Sequence, residues 1–451
     1  MHGFKAYLVS PAPVLRIWAG WMALVLLALG LAGPAAAEVI RVTSLADDTV
    51  VDGQVTLREA ILAANSDSSV DGSPSGNGAD QIVFVMEAAV IRLAGMQLPT
   101  IQSPIAITGP GAPLQLTIDA EHRSRIFQVS SGGTLALSRM TLRHGDAGEQ
   151  DGGAILNEGS LTLSACVLEA NATQFDGGAI HNTGTLSISA SRLSNNAGLN
   201  GAALYNSGSL ELTTTILADN ATGGYGGMMG GGGALLNGRN GRARVSHSTF
   251  LRNLAANGGA IVNTQSSSLT LTNCTVTQNR TINRGGGLSN YASSMQVIHS
   301  TIASNVADIC DGGRGAGGGI ASSSGPLSLL NTIVAGNSLG SRQTPQDVEG
   351  TVEGESAHNL IGIATGMLGI SNGAAGNIVG LSAALDPVLG DPEDNGGPTP
   401  TRALLPGSPA IDAGPESCVP ATDQRGVQRP QGPACDIGAF EVTAPAEPAT
   451  D

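Results

Sequence analysis

Asp151, Asp176 and Asn200 are the residues whose types and spacing most clearly allow chemistry. Each stands directly before a Gly-Gly or Gly-Ala pair, and neighbours in the series are 25 and 24 residues apart. In a fold that coils with this period, their side chains would form an oxygen-rich strip that could hold Ca²⁺. Paired carboxylates can also cleave glycosidic bonds. The alternative is that Asp-Gly and Asn-Gly are ordinary turn pairs, with no metal and no catalysis.

His247 and His299 belong to a second set of residues at equivalent repeat positions, and Asn273 lies between them. Two coils separate the histidines, which is about 9.6 Å at the spacing of neighbouring strands. That is long for two ligands of one metal ion. The pattern therefore favours a ladder of polar side chains at a corner of the fold.

The element that positions these residues is a repeat. The phrase Gly-Gly-Ala-Ile, or a near copy, begins at Gly152, Gly177, Gly201, Gly232, Gly258, Gly285 and Gly317. An Asn follows at a fixed offset, at Asn157, Asn182, Asn206, Asn237, Asn263 and Asn290, with Ser322 in the last copy. A fixed period of this size is typical of a repeat array.

Within each repeat the polar and apolar residues alternate, as in Ser160–Ser164 and Ser268–Thr272. This alternation indicates strands with one buried face, and the glycine pairs indicate tight turns. The sequence therefore predicts an all-β protein, a single-stranded parallel β-helix with one coil per repeat. We expect it to be right-handed, because parallel crossovers almost always are.

Equivalent residues should then stack in columns. Ile155, Ile180 and Leu204 begin an aliphatic column that we expect in the core. The repeated Asn residues are predicted to be structural, because Asn tolerates left-handed backbone angles and stacked amides can bond to one another.

Five segments are predicted from changes in composition. They are a signal peptide (1–37), an N-terminal cap (38–100), the β-helix (101–385), a loop-rich C-terminal cap (386–442) and a disordered tail (443–451). In the N-terminal cap, Thr56 and Glu59 form a capping box at the start of a short amphipathic helix. That helix should cover the open end of the first coil, because exposed strand edges must be protected.

Charge and composition exclude several functions. The chain has 21 basic and 36 acidic residues, a net charge of −15, which argues against nucleic acid as a partner. Its only lysine is Lys5, inside the predicted signal peptide, so lysine chemistry is excluded from the mature protein. The signal predicts a secreted or cell-surface protein. We expect no membrane-spanning segment after the signal peptide. We also expect the protein to be a monomer.

Of the five cysteines, Cys418 and Cys435 are predicted to form a disulfide, because they close a short loop in an exported protein. Cys166 and Cys274 fall in one column four coils apart, too far to bridge, and are expected to be buried thiols. Cys310 lies in an inserted loop and could be a free thiol.

Three stretches resemble known families. Thr56-Leu57-Arg58-Glu59-Ala60-Ile61 resembles the CSLREA domain of exported bacterial repeat proteins. Pro406–Gly414, Asp423–Gly426 and Cys435–Glu441 resemble the choice-of-anchor Q domain. The Gly-Gly-Ala-Ile and Phe-x-x-Asn phrases are similar to repeats of polymorphic outer membrane proteins and to pectin-lyase-like β-helices.

These resemblances imply an exported bacterial β-helix, often associated with the cell surface. The resulting hypothesis is an adhesin-like binding scaffold without a clear catalytic constellation and without a cofactor. Its partner would be an extracellular polysaccharide or the surface of a host or neighbouring cell. Tyr225 and the Gly227–Gly230 tip are the predicted contact residues. The alternative is a Ca²⁺-assisted polysaccharide lyase or a glycoside hydrolase.

Overall fold

The computed structural model describes residues 38–86, 89–110, 116–223 and 230–443. The predicted signal peptide, Tyr225, residues 227–229 of the predicted tip and residues 444–451 of the predicted tail lie outside the described residues.

The chain forms a right-handed parallel β-helix of about ten turns. Each regular coil passes through three main parallel sheets in the order first, second, third, and most later coils add a two-residue strand of a fourth sheet between the second and third. The first sheet contains Val39–Val42, Asp80–Phe84, Pro104–Thr108, Thr134–Ser138, Ser160–Ser164, Thr185–Ser189, Ser209–Thr213, Arg242–Ser246, Ser268–Thr272, Ser294–Ile298 and Leu327–Leu330.

The second and third sheets run alongside it. The second contains Ala89–Arg92, Leu116–Asp119, Met140–Arg143, Val167–Glu169, Arg192–Ser194, Ile216–Ala218, Thr249–Leu251, Thr275–Thr277, Thr301–Ala303, Ile333–Ala335, Leu360–Ile361 and Ile378–Val379. The third contains Phe127–Val129, Ile155–Asn157, Ile180–Asn182, Leu204–Asn206, Leu235–Asn237, Ile261–Thr264, Leu288–Tyr291, Ile320–Ser323, Val348–Thr351 and Met367–Leu368.

The fourth sheet contains Ala197–Gly198, Ala221–Thr222, Leu254–Ala255, Arg280–Thr281, Val306–Ala307, Ser338–Leu339 and, antiparallel at its end, Thr344–Pro345. A single 3₁₀ turn, Ala374–Gly376, completes the described elements of the solenoid.

The predicted columns are present. Ile155, Ile180 and Leu204 are direct partners in the parallel register, and all three are fully buried. The prediction of a stacked aliphatic core is confirmed.

The two positions of the Gly-Gly pair have different roles. The first, as in Gly177, has a positive φ of 73°, which an L residue adopts only with strain. At the second, a Cβ on Gly178 would lie 2.2 Å from the carbonyl oxygen of Ala202 in the next coil. The pair therefore allows a left-handed turn followed by close stacking of backbones.

Two continuous amide ladders line the interior. In one, Asn157 Nδ2 donates to Asn182 Oδ1 at 2.6 Å, and the series continues to Asn290. In the other, Asn171 Nδ2 donates to Asn196 Oδ1 at 3.0 Å, and the series ends on the carboxylate of Asp347. The structural role predicted for these residues is confirmed, because they satisfy buried polar groups along the whole core.

The backbone role predicted for the ladder Asn residues is wrong. Left-handed angles occur one residue earlier in the second ladder, as at Ala170 with φ of 53°, and the ladder residues themselves are not left-handed. The tight corner therefore falls just before the Asn, which leaves its side chain free to point inward.

The N-terminal helix, α1 (Leu57–Ser66), has the predicted capping box between Thr56 and Glu59. Its apolar face joins the core and packs on Val39–Val42 and Asp80–Phe84. These two strands already belong to the first sheet, so the solenoid begins well before the predicted boundary at 101. The long excursion between them, which contains α1, hides the repeat period in the sequence.

The C-terminal segment (386–442) is loop-rich, with one hairpin, Leu389–Glu393 and Thr401–Leu404. It lies against the outer face of the second sheet. A buried ion pair, Arg429 Nη1 to Glu441 Oε2 at 3.1 Å, and the Cys418–Cys435 disulfide link its loops. No helix among the described residues is long and apolar enough to cross a membrane.

Candidate functional site

Asp151, Asp176 and Asn200 lie in adjacent coils at the corner before the third sheet. The backbone N–H of Asp176 donates to Asp151 Oδ1 at 3.0 Å, and Asn200 Nδ2 donates to Asp176 Oδ1 at 2.8 Å. The backbone N–H of Gly231 donates in turn to Asn200 Oδ1 at 3.1 Å. The structure thus brings the three residues together as a hydrogen-bonded column.

This column uses one side-chain oxygen of each residue to bond the next coil. The second oxygen of Asp151 faces His181, with Nδ1 at 3.4 Å. Among the described residues, no group of three or more His, Cys, Asp and Glu side chains is arranged to hold a metal ion. Calcium binding by Asp151, Asp176 and Asn200 stays a prediction.

His181 is part of the site and was missed by the sequence reasoning. It lies on the outer face of the third sheet, and its ring stacks on Tyr205 in the next coil at 4.7 Å between centroids. Both side chains are almost fully buried, and His181 Nδ1, although 3.4 Å from Asp151 Oδ2, is not aligned for a hydrogen bond, so its effect on Asp151 is electrostatic. The signal was available, because the two residues are direct partners, each one position after the aliphatic core residue.

The pKa values of the Asp151 and Asp176 carboxyl groups shift in opposite directions. Burial raises the pKa of Asp176, and the nearby Asp151 charge adds to the rise against the Asn200 hydrogen bond. Burial also acts to raise the pKa of Asp151, but His181 and the Asp176 amide outweigh it, and the net shift is downward. Two neighbouring carboxyl groups whose pKa values differ in this way can serve as a general acid and a general base.

Phe175 and Tyr291 are the only Phe or Tyr side chains among the described residues that are well exposed, at 45% and 60%. Phe175 directly precedes Asp176, and Tyr291 ends the third-sheet strand Leu288–Tyr291. Phe175 therefore lies at the corner before the third sheet, and Tyr291 lies at the far edge of that sheet, four coils further on. We call the outer face of the third sheet between these two residues the lateral track.

A cavity of about 360 Å³ lies at the Tyr291 end of the lateral track. It is lined by Asn257, Arg284, Ser289, Val262 and Tyr291, among others. Arg284 occupies the same repeat position as Asp176, four coils further on, which is about 19 Å at strand spacing. Arg284 makes no ion pair with any described residue, so its guanidinium is available to a ligand.

A larger cavity, of about 660 Å³, lies over the first coils and is lined by Arg58, Arg123 and Arg125. These guanidinium groups are already engaged. Arg58 pairs with Asp47 at 2.8 Å, Arg123 approaches Glu121 at 3.5 Å, and Arg125 donates to the carbonyl of Gly152 at 3.1 Å. Their bonds hold neighbouring loops together, which makes this cavity a weaker candidate than the lateral track.

His247 and His299 lie in one polar corner column, as their spacing predicts, and each contacts the Asn of the next coil. Asn273 Nδ2 lies 3.2 Å from His247 Nε2, and Asn331 Nδ2 donates to His299 Nδ1 at 2.8 Å. Burial beneath the C-terminal segment lowers the pKa of His299 to about 4. Every member of the column is left-handed, from Arg139 through Ala165, Ala190, Thr214, His247, Asn273, His299 and Asn331.

The bonding and burial of the cysteines agree with the sequence predictions. Cys418 and Cys435 are bonded with an S–S distance of 2.06 Å. Cys166 and Cys274 are free and buried, and Cys310 is free and exposed.

Comparisons with known proteins assign no family to this chain. No family model matches the chain, and no curated protein matches it. The resemblances to the CSLREA, choice-of-anchor Q and polymorphic outer membrane protein families therefore remain predictions. Among solved structures, the chain is similar to the crystal structure of pectate lyase Pel9A, with 12% identity, 91% of this chain and 97% of that chain covered, and a TM-score of 0.45.

Proposed function

We propose that this protein is an extracellular scaffold that binds polysaccharide along the lateral track. The observation that carries the proposal is that Phe175 and Tyr291, the two well-exposed Phe and Tyr side chains of the described residues, border the outer face of the third sheet. Amide, hydroxyl and guanidinium groups lie between them.

This combination suits a sugar chain. Aromatic rings offer flat apolar surface against the apolar face of a sugar ring, at little conformational cost. Asn257 and Arg284 line the same cavity as Tyr291 and can hydrogen-bond sugar hydroxyl or carboxylate groups. The length of the track, about 19 Å, calls for an extended ligand with several units.

The extracellular location is part of the proposal. It is supported by the predicted signal peptide and by the Cys418–Cys435 disulfide, because disulfides persist mainly in oxidising compartments.

Calorimetric titration with a panel of soluble oligosaccharides tests the binding function. We expect at least one to bind, and Phe175→Ala and Tyr291→Ala each to weaken binding about tenfold or more. Leu381→Ala is the control, because this exposed apolar side chain follows the last second-sheet strand, outside the track. Absence of binding to every glycan, or binding that neither aromatic variant alters, would exclude the proposal.

A second candidate function is cleavage of a polysaccharide at Asp151 and Asp176. It is favoured by the opposite pKa shifts of the two carboxyl groups. Adjacent coils are about 4.8 Å apart, close to the ~5–5.5 Å carboxyl separation of retaining glycosidases and shorter than the ~6.5–9.5 Å of inverting ones. Phe175, beside Asp176, would hold a sugar ring at the point of cleavage.

Product analysis on the same panel, with and without Ca²⁺, tests this second candidate. Unsaturated products would indicate a lyase, and new reducing ends without unsaturation a hydrolase. We expect Asp176→Asn to reduce turnover about 10²–10⁴-fold. Asp219→Asn, which removes a corner carboxylate paired with Arg252, is the matched control. Glycan binding without any product would leave only the scaffold function.

A further inference from the structure

The outer face of the first sheet is a flat array of hydroxyl groups. Seven adjacent strands, from Thr134–Ser138 to Ser294–Ile298, pair in parallel without a register shift. They present twenty-one outward positions, and fifteen of these hold Ser or Thr. We call this surface the hydroxyl face.

The first three of these strands present no charged side chain outward. Their outward residues are Thr134, Ala136, Ser138, Ser160, Thr162, Ser164, Thr185, Ser187 and Ser189. In a chain of net charge −15 this is an uncharged area. Only Glu211, Arg242 and Arg244 bring charge onto the remaining strands.

The hydroxyl groups repeat in two directions. Neighbouring strands are about 4.8 Å apart, and alternate residues along a strand about 6.7 Å apart. Six strand intervals make the face about 29 Å long. Because the spacing is constant, a partner whose own hydroxyl groups repeat regularly can make many equivalent bonds, each worth only about 1 kcal/mol.

In this molecule another outward column of hydroxyl groups binds a polypeptide segment. On the second sheet, Thr249 donates to the carbonyl of Pro400 at 2.6 Å, Thr275 donates to Gln424 Oε1 at 2.7 Å, and Thr301 accepts from the N–H of Ala439 at 3.0 Å. These residues dock the C-terminal segment. The hydroxyl face carries more such groups, and its residues remain partly or well exposed to solvent.

We propose that the hydroxyl face binds the surface of an ordered, neutral polysaccharide. The inference rests on the proposed function for the kind of partner, but it concerns a different face and a different physical form of the glycan. The lateral track takes a single soluble chain with its aromatic rings, whereas the hydroxyl face, which has no aromatic residue, matches a flat assembly of chains.

Retention of the full-length protein on microcrystalline cellulose and on chitin tests this inference. The triple variant Thr162→Val, Thr185→Val and Ser187→Ala removes three hydroxyls of the uncharged area with little change in side-chain volume. We expect the partition constant to fall at least tenfold. Thr365→Val, an exposed threonine outside the face, should change nothing.

The lateral track provides a crossed control. Phe175→Ala should lose binding to soluble oligosaccharides and keep retention on the solid, and the triple variant should do the reverse. Wild-type protein that is not retained on either solid, or retention that is unchanged in the triple variant, would overturn the inference. Inhibition of ice growth in place of polysaccharide retention would also overturn it, since the hydroxyl array would then bind ordered water. Failure of soluble binding alone would count against the lateral track and not against the hydroxyl face.

Discussion

The backbone N–H of Asp176 donates to the carboxylate of Asp151 across the coil boundary, at 3.0 Å. This bond holds the two acids one above the other, and their pKa values shift in opposite directions. Burial acts to raise both pKa values, but at Asp151 the nearby His181 and the Asp176 amide outweigh it, whereas Asp176 lies more deeply buried beside a charge of the same sign.

The first prediction concerns this coupling. Asp151→Asn keeps an acceptor for the Asp176 amide but removes the neighbouring charge, so the pKa of Asp176 should fall. Carbon-13 NMR titration of the Asp176 carboxyl measures the shift. Asp219→Asn, two coils further along the solenoid and at a different corner, should leave the titration as in the wild type. An unchanged Asp176 pKa in Asp151→Asn would show that the pair is not electrostatically coupled.

The second prediction concerns Asp347, where the second amide ladder ends. Burial raises the pKa of Asp347 to about 6, although Asn337 donates to its Oδ1 at 2.9 Å. The unfolded chain ionises this group near pH 4, and the folded chain near pH 6, so the folded state binds more protons between these values. Stability should therefore decrease as the pH rises from about 4 to about 6, by roughly 3 kcal/mol from this group.

Asp347→Asn tests that pH dependence. The variant loses an acceptor for the N–H of Ile363, which lowers stability by a constant amount. In the variant, stability should no longer decrease between pH 4 and pH 6 as it does in the wild type. Urea unfolding at several pH values measures both effects, and parallel pH profiles for the two proteins would contradict the assignment.

The third prediction concerns the first glycine of the repeat. Gly177→Ala places a Cβ 2.2 Å from the carbonyl oxygen of Ile180 at a φ of 73°, so it should cost about 2–4 kcal/mol. Gly132→Ala is the control, because nothing lies within 4 Å of its Cβ position and its φ is not left-handed. Thermal unfolding compares the two, and equal stability would mean that the turn can rearrange.

Much of this fold could be predicted because the repeat forces like residues into contact. The period of Gly177 and its equivalents predicts the coil, and alternation within Ser160–Ser164 predicts which face is buried. The acid column followed from the same spacing. The stacking of His181 on Tyr205 also obeys the register, but it was overlooked because one His and one Tyr do not form a visible repeat.

Other features depend on contacts between residues far apart in sequence. The C-terminal segment meets the second sheet through pairs such as Thr275 and Gln424, which are 149 residues apart. No local pattern indicates such a pairing. The start of the solenoid was missed for a related reason, because 37 residues separate Val42 from Asp80 and interrupt the period.

The fourth prediction concerns the docking of the C-terminal segment by Gln424. Its Nε2 donates to Thr249 Oγ1 and to Thr399 Oγ1, both at 2.9 Å, and its Oε1 accepts from Thr275 Oγ1 at 2.7 Å. Gln424→Ala leaves these buried hydroxyls with fewer partners, which should cost about 2 kcal/mol.

Hydrogen exchange measured by mass spectrometry shows which segments lose stability in Gln424→Ala. Exchange should accelerate in peptides covering 395–430 and in the second-sheet strands Thr249–Leu251 and Thr275–Thr277, while the first coils stay protected. Gln431→Ala is the matched control, because the Gln431 side chain is exposed and donates only to the carbonyl of Gln428 at 2.9 Å. If both variants exchanged alike, docking would depend on the apolar contacts of Ile437 and Phe440 with Ile333, which also join the segment to the solenoid.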